Sequence, residues 1–521
     1  MSEFDVLIHK VNETFLRLET TEATARHIFK SFRFTNNKLK YHPRVKARLW
    51  DGYINLFNIY SYQIYIGLLE ELVQFFKDND YSYAFSFKKE NAFHEDIFQQ
   101  TLSLVEDKFE FFEHQLSAIK FALKTNRGLI VSATGSGKSL IMYVIAMYYL
   151  LQGQQKVLII VPRTQLVEQI SDAFIEYHKG DKKAFRDTFE LIYSGTTRNP
   201  NASIVISTWQ SLSNNPQSSF AKYDVVLFDE AHLVTAKCLV SIMENCTNTK
   251  YKFGFTGTLT NKSADTDIDE FVLKGLFGKV EVVSTNRELM DKDILTKVVV
   301  NAVHLNYKDK DLCKRIMNGS PEVKAIKDHV LKRKKLFVDE INYMFSSEIR
   351  NDLLVKIALS RKGNTLMMFQ LVEKHGKILY DLLKEAVKSV GKEVFYIHGK
   401  ISVTERELIR MLIESQDNII VVSSYGTTST GIDYKNISNI IFASGFKSKI
   451  TTLQTIGRGL RKHINKDFLN VYDLGDDFSL GKKTKNFLFS HFLERVSIYR
   501  EEKFPIKLIE YDIINNEIKR V

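Results

Sequence analysis

From about residue 111 onward, short apolar runs alternate with helix-length amphipathic segments. The runs Leu129 to Ala133, Val157 to Val161, Ser203 to Ser207, Val225 to Asp229 and Phe253 to Thr256 have the length and continuity of strands buried on both faces. Helices are predicted to begin near Gly137, Gln165 and Ala236. Strands alternating with helices predict a parallel sheet. The rhythm restarts after Lys297, with runs at Thr365 to Phe369, Val394 to Ile397, Ile419 to Ser423, Ile440 to Ala443 and Asn470 to Tyr472. Residues 1–90 read differently: mixed segments at Phe4 to His9 and Gly52 to Phe57 flank helical stretches at Glu22 to Phe32 and Leu68 to Asp78. The expected class is therefore α/β. A small α+β domain over 1–90 and a polar, Phe-rich connector over 91–110 precede two tandem parallel-sheet domains, 111–290 and 291–521, the second opening with a charged helical elaboration over 308–350.

Composition agrees with several packed cores: 521 residues are 44% hydrophobic, which excludes a disordered chain. Six prolines and 24 glycines leave little room for flexible linkers. The 73 basic residues exceed the 62 acidic ones by 73 − 62 = 11, a modest excess compatible with a polyanionic partner. Cys238, Cys246 and Cys313 form no CxxC pair, which argues against a structural zinc site or a disulfide framework and fits a reducing compartment. The longest apolar run, Leu140 to Leu151, is too short to span a bilayer, and the start Met1-Ser-Glu-Phe-Asp5 lacks the basic residues of an export signal. A cytoplasmic protein without a membrane partner is expected.

The strongest chemical signal lies in Leu129-Ile-Val-Ser-Ala-Thr-Gly-Ser-Gly-Lys-Ser139, a buried-strand run that passes through Thr134, Gly135, Ser136, Gly137, Lys138 and Ser139 into an apolar helix. Glycines let backbone N–H groups close around phosphate oxygens at a helix N-terminus. Lys138 would neutralise the β/γ-phosphates and the Ser139 hydroxyl would ligate Mg²⁺. Ser132 stands where many such loops carry their first glycine. Further on, Asp224-Val-Val-Leu-Phe-Asp229-Glu230-Ala231-His232 ends an apolar strand in two carboxylates. Asp229 is expected to hold Mg²⁺, Glu230 to deprotonate the attacking water, and His232 to sense the γ-phosphate or link it to the neighbouring domain.

These residues resemble the superfamily 2 helicases and translocases, and the resemblance extends over further motifs. Gln115, in Phe111-Phe-Glu-His-Gln-Leu, resembles the upstream adenine-reading segment, with His114 where tyrosine is common. Pro162-Arg163-Thr164-Gln165 and Thr208-Trp209-Gln210 resemble two nucleic-acid-contacting motifs, and Thr256-Gly257-Thr258 the motif that couples hydrolysis to movement. In the second domain Thr428-Ser-Thr430-Gly431-Ile-Asp433 and Gln454-Thr-Ile-Gly457-Arg458-Gly459-Leu460-Arg461 resemble the fifth and sixth motifs. The resemblance implies two RecA-like domains, ATP and Mg²⁺ as cofactors, and phosphate contacts from Arg163, Thr164, Thr208, Gln210 and Thr428. It also implies nucleotide contacts from Gly431 and Asp433, and catalytic roles for Gln454, Arg458 and Arg461. The two arginines, three apart, are expected on one helical face, where guanidinium forks can meet developing phosphoryl charge.

Near the amino terminus, Lys38, Lys40, Arg44, Lys46 and Arg48 interleave with Tyr41 and precede Trp50. Lys40, Arg44, Lys46 and Arg48 are candidate phosphate contacts, and Trp50 is expected in the domain's core. The run Tyr41 to Gly52 resembles the small amino-terminal domain of the recombination helicases of T-even-like phages. That resemblance implies a monomeric DNA helicase or branch-migration translocase of the host cytoplasm, acting on single-stranded, duplex and branched DNA and on RNA–DNA hybrids. The motor subunit of a restriction or transcription-coupled repair assembly, and an ATP-gated nucleic-acid clamp, remain open alternatives at this level. Because the hydrolytic residues all lie beyond residue 110, deletion of residues 1–90 is expected to spare ATPase stimulated by single strands.

Overall fold

The computed structural model describes residues 4–35, 43–88, 93–193, 199, 201–234, 237–258, 267–428, 434–445, 447–481, 484–514 and 517–521. The chain divides into two compact units, Met1–Thr285 and Asn286–Val521.

The first unit opens with a five-stranded mixed sheet of order β5-β6-β2-β1-β7, built from β1 (Val6–Lys10), β2 (Phe15–Thr20), β5 (Phe57–Asn58), β6 (Gln63–Tyr65) and β7 (Tyr83–Phe85). A short ribbon pairs β3 (Arg33–Phe34) with β4 (Ile54–Asn55). Helix Glu22–Ser31 begins where the Thr21 side chain accepts the Thr24 N–H, which satisfies an orphan donor of the first turn. Helix Leu69–Asp78 buries Leu72 and Phe76.

A seven-stranded sheet follows, order β10-β11-β9-β12-β13-β8-β14, with every pairing parallel. Its strands are β8 (Arg127–Ser132), β9 (Val157–Val161), β10 (Phe189–Ile192), β11 (Ile204–Thr208), β12 (Val225–Asp229), β13 (Tyr251–Thr256) and β14 (Val280–Ser284). Helix Lys138–Leu151 is apolar all round because it is buried from Leu140 to Tyr149. Strands β10 and β14 are not evident from the apolar pattern: each is short and carries a glutamate, Glu190 or Glu281. The expected connector holds a helix, Glu95–Ser103, with Phe98 and Thr101 buried.

The small sheet and the large one share a core. Leu56, Phe57, Leu68 and Leu72 belong to one buried cluster with Leu273, Leu276 and Phe277. Close approach at this seam requires glycine: a Cβ on Gly67 would lie 2.1 Å from the Lys274 carbonyl oxygen, and one on Gly275 2.9 Å from the Tyr65 ring. Phe34 stacks on Phe271 at 4.7 Å. Polar links cross the same seam, with Tyr65 Oη donating to Glu244 Oε1 at 2.6 Å and Lys252 Nζ to Thr14 Oγ1 at 2.8 Å. Removal of residues 1–90 would therefore strip one side of a core, so a test of the expected ATPase of the remainder must also follow its folding.

The second unit is an eight-stranded sheet, order β17-β18-β16-β19-β20-β15-β21-β22. It comprises β15 (Lys297–Tyr307), β16 (Thr365–Phe369), β17 (Glu393–Ile397), β18 (Ile419–Ser424), β19 (Asn439–Phe442), β20 (Phe468–Asp477), β21 (Ile506–Ile514) and β22 (Glu517–Arg520). All pairings are parallel except β21 with β22. Between β15 and β16 lie helices Lys310–Asn318, Pro321–Ala325, His329–Ser346 and Glu348–Ser360, the first three capped by Asp309, Ser320 and Asp328. Two buried ion pairs organise this unit: Arg495 Nε and Nη2 reach the Asp473 carboxylate at 2.8 and 2.7 Å, and Arg350 Nε reaches Asp476 Oδ1 at 2.8 Å.

Candidate nucleotide and nucleic-acid sites

In the first unit, the residues singled out by motif collect at the carboxyl ends of β8, β9, β11, β12 and β13, where a parallel sheet presents its ligand crevice. The loop after β8 turns through Gly135 (φ +82°) and Gly137 (φ +85°), backbone conformations only glycine adopts without strain. A Cβ on Gly137 would stand 2.2 Å from Gln115 Nε2. Gln115 is buried beneath the loop: its Nε2 donates to the Ser136 carbonyl at 2.9 Å and its Oε1 accepts the Phe112 N–H at 3.0 Å. His114 approaches the same carbonyl at 3.0 Å, so both side chains brace the loop from below.

The serine at the loop entry is part of a hydroxyl chain. Ser132 Oγ lies 2.6 Å from Ser136 Oγ and 3.1 Å from Ser284 Oγ, the latter contributed by β14. Lys138 Nζ donates to the carbonyl oxygens of Ser132 and Ala133 at 3.0 and 3.1 Å, a posture that keeps the ammonium at the loop mouth. Ser139 Oγ lies 2.8 Å from Tyr177 Oη. Tyr177, at the end of helix Thr164–Tyr177, carries no motif and cannot be found from sequence.

At the end of β12, burial and the adjacent Glu230 carboxylate push the Asp229 carboxyl well above the ordinary range, against the Lys138 ammonium. Glu230 occupies the left-handed region (φ +54°), which turns its side chain out of the strand direction. His232 is buried, with Nδ1 3.2 Å from Glu230 Oε2 and 3.0 Å from Thr256 Oγ1. Thr256 Oγ1 in turn donates to the Thr258 carbonyl at 2.9 Å. The donor set suits a magnesium nucleotide: glycine backbone to approach phosphates, one ammonium, one hydroxyl, and two crowded carboxylates that a cation would relieve.

Arg163 is half-buried, Thr164 is exposed at the first residue of helix Thr164–Tyr177, and burial lowers the Arg163 pKa. The exposed Gln210 donates to the Pro162 carbonyl at 3.4 Å, joining the two motifs across neighbouring strands. Thr208 is buried and caps helix Trp209–Leu212 through the Ser211 N–H. On the small domain, Arg44 and Lys46 are exposed on helix Pro43–Lys46 and Arg48 is exposed just beyond it. Trp50 is half-buried rather than core, its indole N–H spent on the Tyr53 carbonyl at 2.9 Å, because the short β3–β4 ribbon is too small to enclose it. Lys40, Gly431 and Asp433 lie outside the described residues, as does the Thr428 side chain.

In the second unit, Gln454 and Arg458 sit on helix Lys449–Arg458, begun by the Ser448 cap. The helix stops at Arg458, so Arg461 stands beyond it, exposed, and the two arginines do not share a helical face. The residue after the helix packs closely: a Cβ on Gly459 would lie 2.6 Å from Leu469 Cδ1 on β20.

A phosphate loop, an acidic strand end tied to a Thr-Gly-Thr turn, and a second parallel-sheet unit bearing Gln-x-x-Gly-Arg-x-x-Arg define an ATP-dependent helicase of superfamily 2. Family comparison agrees, with residues 108–261 matching the family described as type III restriction enzyme, res subunit, and residues 349–463 the helicase conserved C-terminal domain. Residues 5–86 match the family described as DNA helicase UvsW, N-terminal. The ATP-dependent DNA helicase uvsW of Enterobacteria phage T4 is 30% identical over 520 residues, covering 96% of this chain and 98% of that one. The chain belongs to the UvsW family of ATP-dependent DNA helicases. The crystal structure of T4 UvsW aligns with 98% of this chain and 100% of its own at 28% identity and a TM-score of 0.48. The Type ISP restriction-modification enzyme LlaBIII bound to DNA shares the fold over 77% of this chain and 31% of its own, at 17% identity and a TM-score of 0.53. Membership brings nucleotide binding and hydrolysis and a nucleic-acid substrate. Among the described residues no helix is long and apolar enough to cross a membrane.

Proposed function

We propose that the chain is a monomeric, cytoplasmic motor that remodels branched DNA intermediates and RNA–DNA hybrids. The observation that carries this reading is the core shared by the UvsW-type amino-terminal domain and the nucleotide-binding sheet. A duplex arm held by Arg44, Lys46 and Arg48 would be held by the same rigid body that binds nucleotide, so movement of a strand would act on the junction rather than be lost in a tether.

Within that reading, the backbone N–H groups of Thr134 to Ser139 cradle the phosphates and Lys138 neutralises them. Ser139 and Asp229 would hold Mg²⁺, which supplies charge neutralisation on the β/γ-phosphate oxygens. Glu230 takes the proton of the attacking water on a carboxylate oxygen, and His232 holds that carboxylate in register with Thr256. Gln454, Arg458, Arg461, Gly431 and Asp433 are the second unit's candidate catalytic and nucleotide-contacting residues. Arg163, Thr164, Gln210 and Thr428 contact the strand backbone without reading bases, with Thr208 supporting the turn beside them.

The test compares ATPase stimulation and unwinding on duplex, fork, four-way junction and R-loop substrates. Wild type should prefer the branched substrates, and replacing Arg44, Lys46 and Arg48 together by alanine should flatten the salt dependence of duplex binding by up to about three phosphate equivalents. Normal junction unwinding by that variant, with an unchanged salt slope, would reduce the domain to a structural cap.

A further inference from the structure

The second unit carries a basic pocket that none of the helicase motifs enters. It is a cavity of about 450 Å³ on one face of the sheet, between the end of helix Glu348–Ser360 and the carboxyl-terminal hairpin β21–β22. Strand register builds its floor: Asn301 on β15 is directly opposite Tyr472 on β20 and Lys507 on β21. Tyr511, two pleats further along β21 on the same face, pairs with Arg520 on β22. Arg361 closes the end, donating from Nη1 to Tyr472 Oη at 2.9 Å. Arg361 lies just before β16, whereas the sixth-motif helix follows the carboxyl end of β19.

Three features converge on an anion. Arg361, Lys507 and Arg520 line one cavity, and among the described residues none of them has a carboxylate within ion-pair distance. Asn301 is only 7% exposed, yet its Nδ2 has no hydrogen-bond partner among the described residues, and a buried amide donor left unmatched costs free energy unless a ligand or water meets it. Tyr472 and Tyr511 add hydroxyl donors and ring faces.

We propose that this pocket binds a phosphate group, with Arg361, Lys507 and Arg520 neutralising it and the Asn301 amide orienting it. The phosphate can belong to a nucleic-acid backbone or be a free ion; the first source rests on the helicase reading and the second does not.

The test uses full-length wild type and the Lys507→Glu/Arg520→Glu variant, both substitutions being at exposed positions. DNA binding without nucleotide is titrated between about 50 and 200 mM salt, and thermal stability is followed with inorganic phosphate against chloride at equal ionic strength. A strand phosphate predicts roughly ten-fold weaker DNA binding at low salt and a log–log slope shallower by about two in the variant. A free phosphate predicts an unchanged slope but a phosphate-dependent rise in melting temperature that the variant lacks. Identical slopes together with identical phosphate responses overturn the site. DNA-stimulated ATPase, measured in parallel on both proteins, reports separately on the motor reading.

Discussion

His232 Nδ1 lies 3.0 Å from Thr256 Oγ1 and 3.2 Å from Glu230 Oε2, so one buried imidazole joins the carboxylate at the end of β12 to the turn at the end of β13. Two motifs distant in sequence are thereby one mechanical element. Replacing His232 by alanine should leave ATP binding within a few fold while lowering DNA-stimulated turnover by about ten-fold or more, and unwinding further still. Equal losses of binding and turnover, with a lower melting temperature, would mean that the imidazole is only packing.

Lys138→Ala removes the ammonium at the loop mouth, and Glu230→Gln removes the proposed proton acceptor while keeping its shape. Hydrolysis should vanish in the first and fall by roughly 10²-fold or more in the second. DNA binding should stay within a few fold in both, and nucleotide binding should persist in the glutamine variant. Phosphate release at the wild-type rate in either would place the hydrolytic site elsewhere.

Gly137→Ala places a methyl group at φ +85° and 2.2 Å from Gln115 Nε2. Strain of about 1–3 kcal/mol at the loop should weaken nucleotide binding ten-fold or more and lower the melting temperature of the nucleotide-free protein by a few degrees. Gln115→Ala in the same chain should recover part of the loss, because it removes the colliding amide. Binding that stays weak in the double variant would locate the strain in the backbone alone.

Lys252 links the nucleotide-binding sheet to the small domain, and burial pulls its ammonium down to about 7. The unfolded chain therefore binds more protons than the folded one between about pH 7 and the ordinary lysine value, so stability rises with pH across that window and is level below it. Chemical unfolding of wild type should show a gain of up to about 1.4 kcal/mol per pH unit between about pH 8 and 9, which Lys252→Met should abolish. A slope of the opposite sign, or one that survives in the variant, would assign the titration to another group.

Arg495 and Asp473 are buried at 2% and 0% exposure and paired through two short bonds. Arg495→Met leaves the carboxylate buried with, among the described residues, only Tyr499 Oη, at 2.7 Å, still donating to it, and should destabilise the second unit by about 3–5 kcal/mol. Adding Asp473→Asn should restore much of that loss, since the stranded charge disappears. An additive double variant would show that the pair acts through packing instead.

Periodicity and motif spacing by themselves determined the α/β class and the central strands. Val157–Val161, Val225–Asp229 and Thr365–Phe369 have the same bounds in the sequence pattern and in the structure, because strands buried on both faces must be uninterrupted apolar runs. The candidate phosphate loop and acidic pair stand out in the sequence for a related reason: phosphate and metal chemistry admits few residue types, and these lie contiguous in the chain. Tertiary structure alone decided the rest. Edge strand β14 and the hairpin β21–β22 that borders the second sheet are only half-covered, so their hydropathy is mixed, and β14 and β21 find their partners β8 and β15 far away in sequence. Likewise the seam at Gly67 and Gly275, the His232–Thr256 bridge, the Tyr177 contact to Ser139 and the Asn301 pocket depend on strand order and close approach, which no local window of residues encodes.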